Sequence, residues 1–257
     1  GAIAQLADGD TISFNIPGAG PHYLVTPTGG YPRITRNSVT LDGYSQPGAA
    51  PNTNPILAAN NARIRIVLDS RSGNFTDMAY DPDNSNAGFG PGEVAVLGIL
   101  NATNVTIKGF CLLGDKAEGH YGVAIARDYS DGKAGLGDGA HINGCWIGVD
   151  LDGKSVSGFA DGIAAFRHRN DAIGNQARLP SNGHIIGVKP KSTNPRSEFN
   201  VIVGGTIDLI LEGQRHRISG NFLGVLPSGV NDYIVPFAEP GRIAESHIEI
   251  GRGASDL

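Results

Sequence analysis

Residues 141–149 read His-Ile-Asn-Gly-Cys-Trp-Ile-Gly-Val, and residues 217–225 read Arg-Ile-Ser-Gly-Asn-Phe-Leu-Gly-Val. The apolar and glycine positions coincide, and the register carries on to Gly153 and Gly229. A unit written twice, and too short to close a core alone, must bury its apolar face against a neighbouring copy. A second echo runs earlier in the chain. Val39-Thr40-Leu41-Asp42-Gly43-Tyr44 lies over Val105-Thr106-Ile107-Lys108-Gly109-Phe110, in the order apolar, Thr, apolar, charged, Gly, aromatic. Residues 183–187 (Gly-His-Ile-Ile-Gly) form a degenerate copy between the two strong ones, and a weaker signal returns at Ile248. Copies then recur about every 30 to 45 residues, within the range of repeat architectures.

Short apolar alternations fill the rest of the chain, at 11–16, 38–41, 63–68, 104–107, 121–125, 201–203, 209–211 and 247–250. Most end near Gly, Asn or Asp, and a period of two closed by a turn residue predicts a strand. No amphipathic helix is evident; the best stretch, residues 1–7, is too short to stand alone. The 38 glycines among 257 residues supply many turns. Two all-β architectures compete. A sandwich predicts hairpins with Asn-Gly between paired strands, but Asn143-Gly144 sits inside the repeated strand. A parallel β-helix predicts short strands, glycine corners and like residues stacked at about 4.8 Å. The echoes and the lack of helices favour the second: an all-β, right-handed parallel β-helix, a solenoid forming a single domain over residues 1–257, its hand set by the general crossover preference. Stretches 45–60 and 81–93 read as excursions between strands, not linkers.

The formal net charge of -5 argues against a nucleic-acid groove, which normally shows a basic stripe. No run approaches the ~20 apolar residues of a membrane span; the longest, 94–100, is broken by Gly98. Two cysteines make neither a disulfide framework nor a zinc quartet. Cys111 and Cys145 hold matching places before Leu112 and Trp146, which predicts stacked buried thiols. On adjacent coils, a spacing of about 4.8 Å would also let them bridge.

Residues 41–49 (Leu-Asp-Gly-Tyr-Ser-Gln-Pro-Gly-Ala), following 11–18 (Thr-Ile-Ser-Phe-Asn-Ile-Pro-Gly), resemble the start of bacterial right-handed parallel β-helix repeat proteins of the cell surface. Residues 200–206 (Asn-Val-Ile-Val-Gly-Gly-Thr) and 220–224 (Gly-Asn-Phe-Leu-Gly) are similar to their coil repeat. The resemblance covers most of the chain. It implies secretion or surface display and a fold similar to that of pectate-lyase-like enzymes; catalysis does not follow from it. Proteins of this kind usually carry a capping helix where this chain has residues 1–10, and the chain stops soon after a repeat opens at His247. The expectation is a piece of a longer solenoid, whose open ends expose strand edges and invite self-association.

Several constellations could carry chemistry. Asp77, Asp81 and Asp83, with Asn84, Asn86 and Glu93 nearby, offer the closely spaced oxygens that calcium takes; the plainer reading is a solvated turn. Asp150 and Asp152 follow the repeated motif, whereas the second copy has Leu226 and Ser228 there. The coil does not need those acids, so they become candidates for substrate binding. Tyr121 and Tyr129 are candidate glycan-stacking rings, while Trp146, Phe222, Tyr44 and Phe110 sit in the apolar part of the repeat and read as core. Arg167, His168, Arg169 and Asp171 form the best cationic cluster, able to supply a base and to meet an acidic polysaccharide. His141 and His216-Arg217 open equivalent repeats and could stack as a short ladder. The paired carboxylates and Gly-His-Gly of a polygalacturonase-like site are missing; Gly119-His120-Tyr121 is a partial match.

The sequence requires no cofactor, and calcium is the one candidate ion. The expected function is a secreted or surface β-helix that binds polysaccharide or serves as an adhesive or structural module. The alternative is a polysaccharide lyase or glycoside hydrolase working on an acidic glycan in a groove along the coils. A filament subunit joined through open ends is a third reading.

Overall fold

The fold was obtained as a computed structural model that describes residues 1–77, 94–117, 119–126, 137–165, 168–170, 177–179, 181–211, 213–229 and 248–250. The protein is all-β and its long sheets are parallel in all but one pairing. The helical pieces among the described residues are the 3-10 turns Ala2–Gln5, Gly43–Ser45 and Pro195–Glu198. None of them is long or apolar enough to cross a membrane.

Three six-stranded sheets hold most of the strands. Sheet 1 runs Thr11–Ser13, Thr40–Asp42, Thr106–Lys108, His141–Asn143, Ile185–Gly187, Arg217–Ser219. Sheet 2 runs His22–Val25, Ile66–Asp69, Phe110–Leu113, Trp146–Ile147, Val201–Ile202, Phe222–Leu223. Sheet 3 runs Thr76–Asp77, Val94–Leu100, His120–Ala126, Asp161–Ala165, Ile207–Leu211, Ile248–Ile250. From Val94 onward the chain visits sheets 3, 1 and 2 in constant order, each pass lying beside the one before.

The register explains the echoes. Thr40, Leu41 and Asp42 pair with Thr106, Ile107 and Lys108, the residues over which the second echo lays them. The charged positions of that echo, Asp42 and Lys108, form an ion pair at 2.9 Å. His141 pairs with Ile185, and Ile185 with Arg217, so the two strong copies are two passes apart with the degenerate copy between them. Residues 188–200 leave the stack within that middle pass, so its two strands drift apart in sequence while staying in register in space.

Alternation places one apolar residue per pass inside. In sheet 1 the inward ladder is Ile12, Leu41, Ile107, Ile142, Ile186 and Ile218. Its four central members are buried, and the terminal Ile12 and Ile218, each covered on one side, are partly buried. Ile3 and Leu6 of the short N-terminal segment pack on the same core. Glycine recurs at the corner from sheet 1 to sheet 2 because that corner needs left-handed backbone: φ is +61° at Gly144 and +68° at Gly220. A Cβ on Gly144 would sit 2.8 Å from the Tyr44 ring, and one on Gly220 would sit 2.7 Å from Phe199. Just past the corner, Asn200 bonds Cys145 N, Ile142 O and the Asn221 amide, which closes the polar groups the bend leaves inside.

The thiols are free and buried, as expected, but they do not stack on one another. Cys111 pairs with Trp146, not with Cys145. That shift of one residue turns the two side chains to opposite faces of sheet 2. Cys145 joins the inner core and Cys111 the outer cluster, and both are free and buried.

Candidate functional site

The outer face of sheet 2 carries a second ladder: Tyr23, Val67, Cys111, Trp146, Val201 and Phe222. Two surface segments border it. The first spans residues 46–65. Its asparagines replace the missing ladder bonds: Asn52 Oδ1 accepts from Asn54 N and Asn61 N, Asn54 Nδ2 donates to Ala59 O, and Asn61 Oδ1 accepts from Thr53 N. It reaches the far passes where Asn60 N donates to Pro227 O at 2.6 Å and Asn52 Nδ2 to Arg196 O at 3.1 Å. The second border is the turn that leaves Gly148 and returns at Ser157, closed by a Val149–Val156 bridge.

Between these borders lie two depressions that share Trp146 and Leu151. The larger, of about 580 Å³, is lined by Asn60, Trp146, Leu151, Asp152, Lys154, Leu226 and Pro227 among others. The smaller, of about 280 Å³, adds Pro21, Arg63, Ile64 and Arg65. Together they extend from beside the first strand of sheet 2 to just past its last described strand. Arg63, Arg65 and Lys154 outnumber Asp152 there, so the groove is locally positive on an acidic chain.

Asn60 is 6% exposed. Its Oδ1 accepts from Ala62 N at 3.1 Å and Trp146 Nε1 at 3.4 Å. Its Nδ2 has no hydrogen-bond partner among the described residues. A buried donor without an acceptor costs about 1–3 kcal/mol, so natural structures keep few of them.

The two acids chosen from sequence share one turn but do different work. Asp150 Oδ1 accepts from the Tyr23 hydroxyl at 2.6 Å and from Leu151 N, while its Oδ2 lies 3.3 Å from Arg71 Nη1. Arg71 also grips Asp69 with two nitrogens, and those bonds hold the Asp69 carboxyl below the usual carboxylate range. Partial desolvation and the Asp150 contact push the Tyr23 phenol up. Asp150 is thus a clasp between distant passes. Asp152 caps its own turn by accepting from Lys154 N, Ser155 N and the Ser155 hydroxyl. Desolvation raises its pKa, but these bonds outweigh it and leave the carboxyl low. Asp152 alone of the pair lines the larger cleft.

Tyr121 corrects the expectation of an exposed ring. It is 4% exposed, on sheet 3, in a cluster with Ala95 and Ala124. Tyr129, Arg167, Asp171, Asp81 and Asp83 lie outside the described residues, as do Asn84, Asn86 and Glu93. Asp77 ends the two-residue strand Thr76–Asp77. His168 and Arg169 lie on His168–Asn170, which pairs antiparallel with Ala177–Leu179. Among the described residues no group of three or more His, Cys, Asp or Glu could hold a metal ion.

The expected ladder of His141, His216 and Arg217 is replaced by two separate arrangements. Ile185 stands between His141 and Arg217. His141 Nε2 donates to Gly187 O, and Arg217 Nε to Val188 O, each tying down a corner of a neighbouring pass. Burial lowers the His141 pKa. The imidazoles that do stack are His184 and His216, with centroids 5.0 Å apart and planes 12° from parallel. Each Nδ1 accepts a backbone N–H, from Ala140 and His184 respectively, and both rings are buried.

Sequence reading missed two further features. Asn60 and Trp146 are far apart in the chain, and no local pattern links them. His120 Nδ1 lies 2.7 Å from Asp115 Oδ1, and the Phe75 ring stands 4.2 Å from the imidazole. This pair orients one ring nitrogen and leaves the other as a proton acceptor.

No family model, curated protein or solved structure matches this chain. Its function is therefore argued from the site.

Proposed function

We propose that the chain is a secreted or surface-displayed right-handed parallel β-helix that binds polysaccharide along the outer face of sheet 2. The constant order of sheet visits, with parallel in-register neighbours, supports the coil. The observation that carries the function is the pair of depressions joined at Trp146 and Leu151. A long, shallow, mixed apolar and polar surface suits a polymer whose rings offer an apolar face and a hydroxyl rim. Trp146 is the only tryptophan of the chain, so its fluorescence reports directly on the site. Titration with neutral and uronate-containing glycans is expected to shift its emission saturably. A flat response to every glycan tested would rule the reading out.

One observation favours a second reading, a polysaccharide lyase or glycoside hydrolase for acidic glycans. The Asp115–His120 pair is built like a base and its orienting acid. New unsaturated or reducing ends formed from a uronate polymer, and lost in His120→Ala, would support it. Turnover lost instead on changing His168 or Arg169 would move the chemistry to that hairpin.

A further inference from the structure

The surface segment 46–65 ends in a turn built from residues that turns rarely use. Ala58 N donates to Pro55 O at 3.0 Å, which closes a β-turn with Ile56 and Leu57 at its two central positions. Such positions ordinarily go to Pro, Gly, Asn, Asp or Ser. Leu57 is 97% exposed and Ile56 40%. Neither packs on any of the three apolar clusters of the described residues. The fold therefore gains little from their hydrocarbon, and a polar residue would serve the turn as well.

The turn is held in place. Ala50 and Arg63 exchange backbone bonds of 3.0 and 2.7 Å across the base of the segment, and Asn52, Asn54 and Asn61 brace the arms between. An apolar tip fixed in this way loses little freedom when it is buried in a partner.

The charge on its flanks has one sign. Residues 43–68 include Arg63 and Arg65 and no acid. Arg196 reaches the segment from a later pass, its Nη1 donating to Thr53 O at 3.2 Å. Exposed Lys154 lines the larger depression with Ala59 and Asn60. The exposed acid beside them is Asp152; Glu198 is buried and accepts from Lys189 N and the Ser192 hydroxyl. These cations are gathered here on a chain of net charge -5. Two side chains at one turn supply little of the ~800 Å² that each partner buries in a standard protein interface. A fluid surface that closes around a point suits them better. Hydrocarbon lying beneath negative headgroups meets both demands, burying the tip and pairing the cations.

We propose that the Ile56–Leu57 turn inserts into the headgroup boundary of an anionic lipid bilayer, with Arg63, Lys154 and Arg196 meeting the lipid phosphates. The protein then rests on a membrane without crossing it. This inference is independent of the glycan-binding reading.

The test is co-sedimentation of the full chain with vesicles of phosphatidylcholine alone and of phosphatidylcholine mixed with phosphatidylglycerol. Saturable binding to the anionic vesicles is expected, weakening as salt is raised. Leu57→Ser is expected to lower that affinity about tenfold or more, the loss of one buried leucine. Arg196→Gln is expected to lower it about fivefold, the effect of one cation near a charged surface. Leu57→Phe keeps an apolar tip and should retain binding. Because Leu57 touches no core cluster, both Leu57 variants should match the parent by circular dichroism. Absence of binding to the anionic vesicles overturns the inference. So does equal binding to both kinds of vesicle, or binding unchanged when Ile56→Ser and Leu57→Ser are combined. Concentration-dependent association of the chain with itself, abolished by Leu57→Ser while vesicles stay unbound, overturns it in favour of a contact between copies.

Discussion

The Tyr23 hydroxyl donates to Asp150 Oδ1 at 2.6 Å across 127 positions of sequence. Tyr23 belongs to the first strand of sheet 2, and Asp150 follows the fourth. The bond therefore ties the turn bordering the groove to a distant pass. Tyr23→Phe deletes only the hydroxyl. Because the pair is solvent-exposed, a loss of about 1 kcal/mol is expected in urea unfolding. The same change should weaken glycan affinity only slightly, since Tyr23 lines neither depression.

Gly144 and Gly183 make a matched test of the corners. Both have left-handed backbone, at φ +61° and +66°. Gly183 has open space where a Cβ would go, whereas Gly144 faces Tyr44 and the Ser197 carbonyl within 3 Å. Gly183→Ala is expected to cost about 1 kcal/mol, the conformational part alone. Gly144→Ala adds the clash and should cost about 3 kcal/mol or more. Equal denaturation midpoints for the two variants would contradict the close approach at Gly144.

Asp208 is a carboxyl inside the protein, 3% exposed, with Oδ2 lacking a partner among the described residues. Burial pushes its pKa from 3.8 up to about 7, against hydrogen bonds from the Gly205 and Gly224 backbone. The folded state therefore holds the proton more tightly than the unfolded chain does. Its contribution is fully present below the unfolded value of 3.8 and is lost as pH rises to about 7. Asp208→Asn removes that loss. The variant is expected to gain stability over the parent at pH 8, on the order of 4 kcal/mol as an upper figure, with the gain shrinking toward pH 4. A constant difference across that range would show that Asp208 does not titrate in this way.

Asp69 and Asp152 act with the opposite sign. Both carboxyls are held low in the folded protein, so their stabilisation is present above the ordinary value of 3.8 and lost as pH falls through their lower folded values. Acid unfolding followed by circular dichroism should show stability falling below about pH 4. Asp152→Asn is expected to flatten part of that fall.

Neither thiol should react in the native state. Burial pushes the Cys145 thiol up to about 12 and raises Cys111 as well. A colourimetric thiol reagent is expected to find none in native protein and two in denaturant. Mass measured with and without reductant should show no internal bridge, because the side chains lie on opposite faces of sheet 2.

Much of the fold was legible because the pattern that encodes it is local. Thr40, Leu41 and Asp42 announce their pairing with Thr106, Ile107 and Lys108 in their own order of types. Gly144 and Gly220 mark corners because few other residues accept that backbone. Where segments of unequal length interrupt the copies, sequence spacing misleads. Cys111 was matched to Cys145 by its neighbours in the chain, but hydrogen bonding sets it beside Trp146. The strand His22–Val25 alternates in burial, but its residues, His-Tyr-Leu-Val, show no polar–apolar alternation, so the sequence does not mark it.

The sequence by itself determined the repeating unit and the alternation that turns residues such as Leu41, Ile107 and Ile142 inward, because period-two alternation and glycine corners depend on near neighbours. Only the tertiary structure decided which polar residues are engaged and which are left open. Asp150 looked available and is held by Tyr23 and Arg71; Tyr121 looked exposed and is buried. Asn60 looked like one turn residue among many, yet it lines the larger cleft, and its amide nitrogen is buried without a hydrogen-bond partner among the described residues. Each of these outcomes depends on a partner contributed by another pass, and a side chain's neighbours across passes are set by register and by intervening segments, neither of which is written at the residue itself.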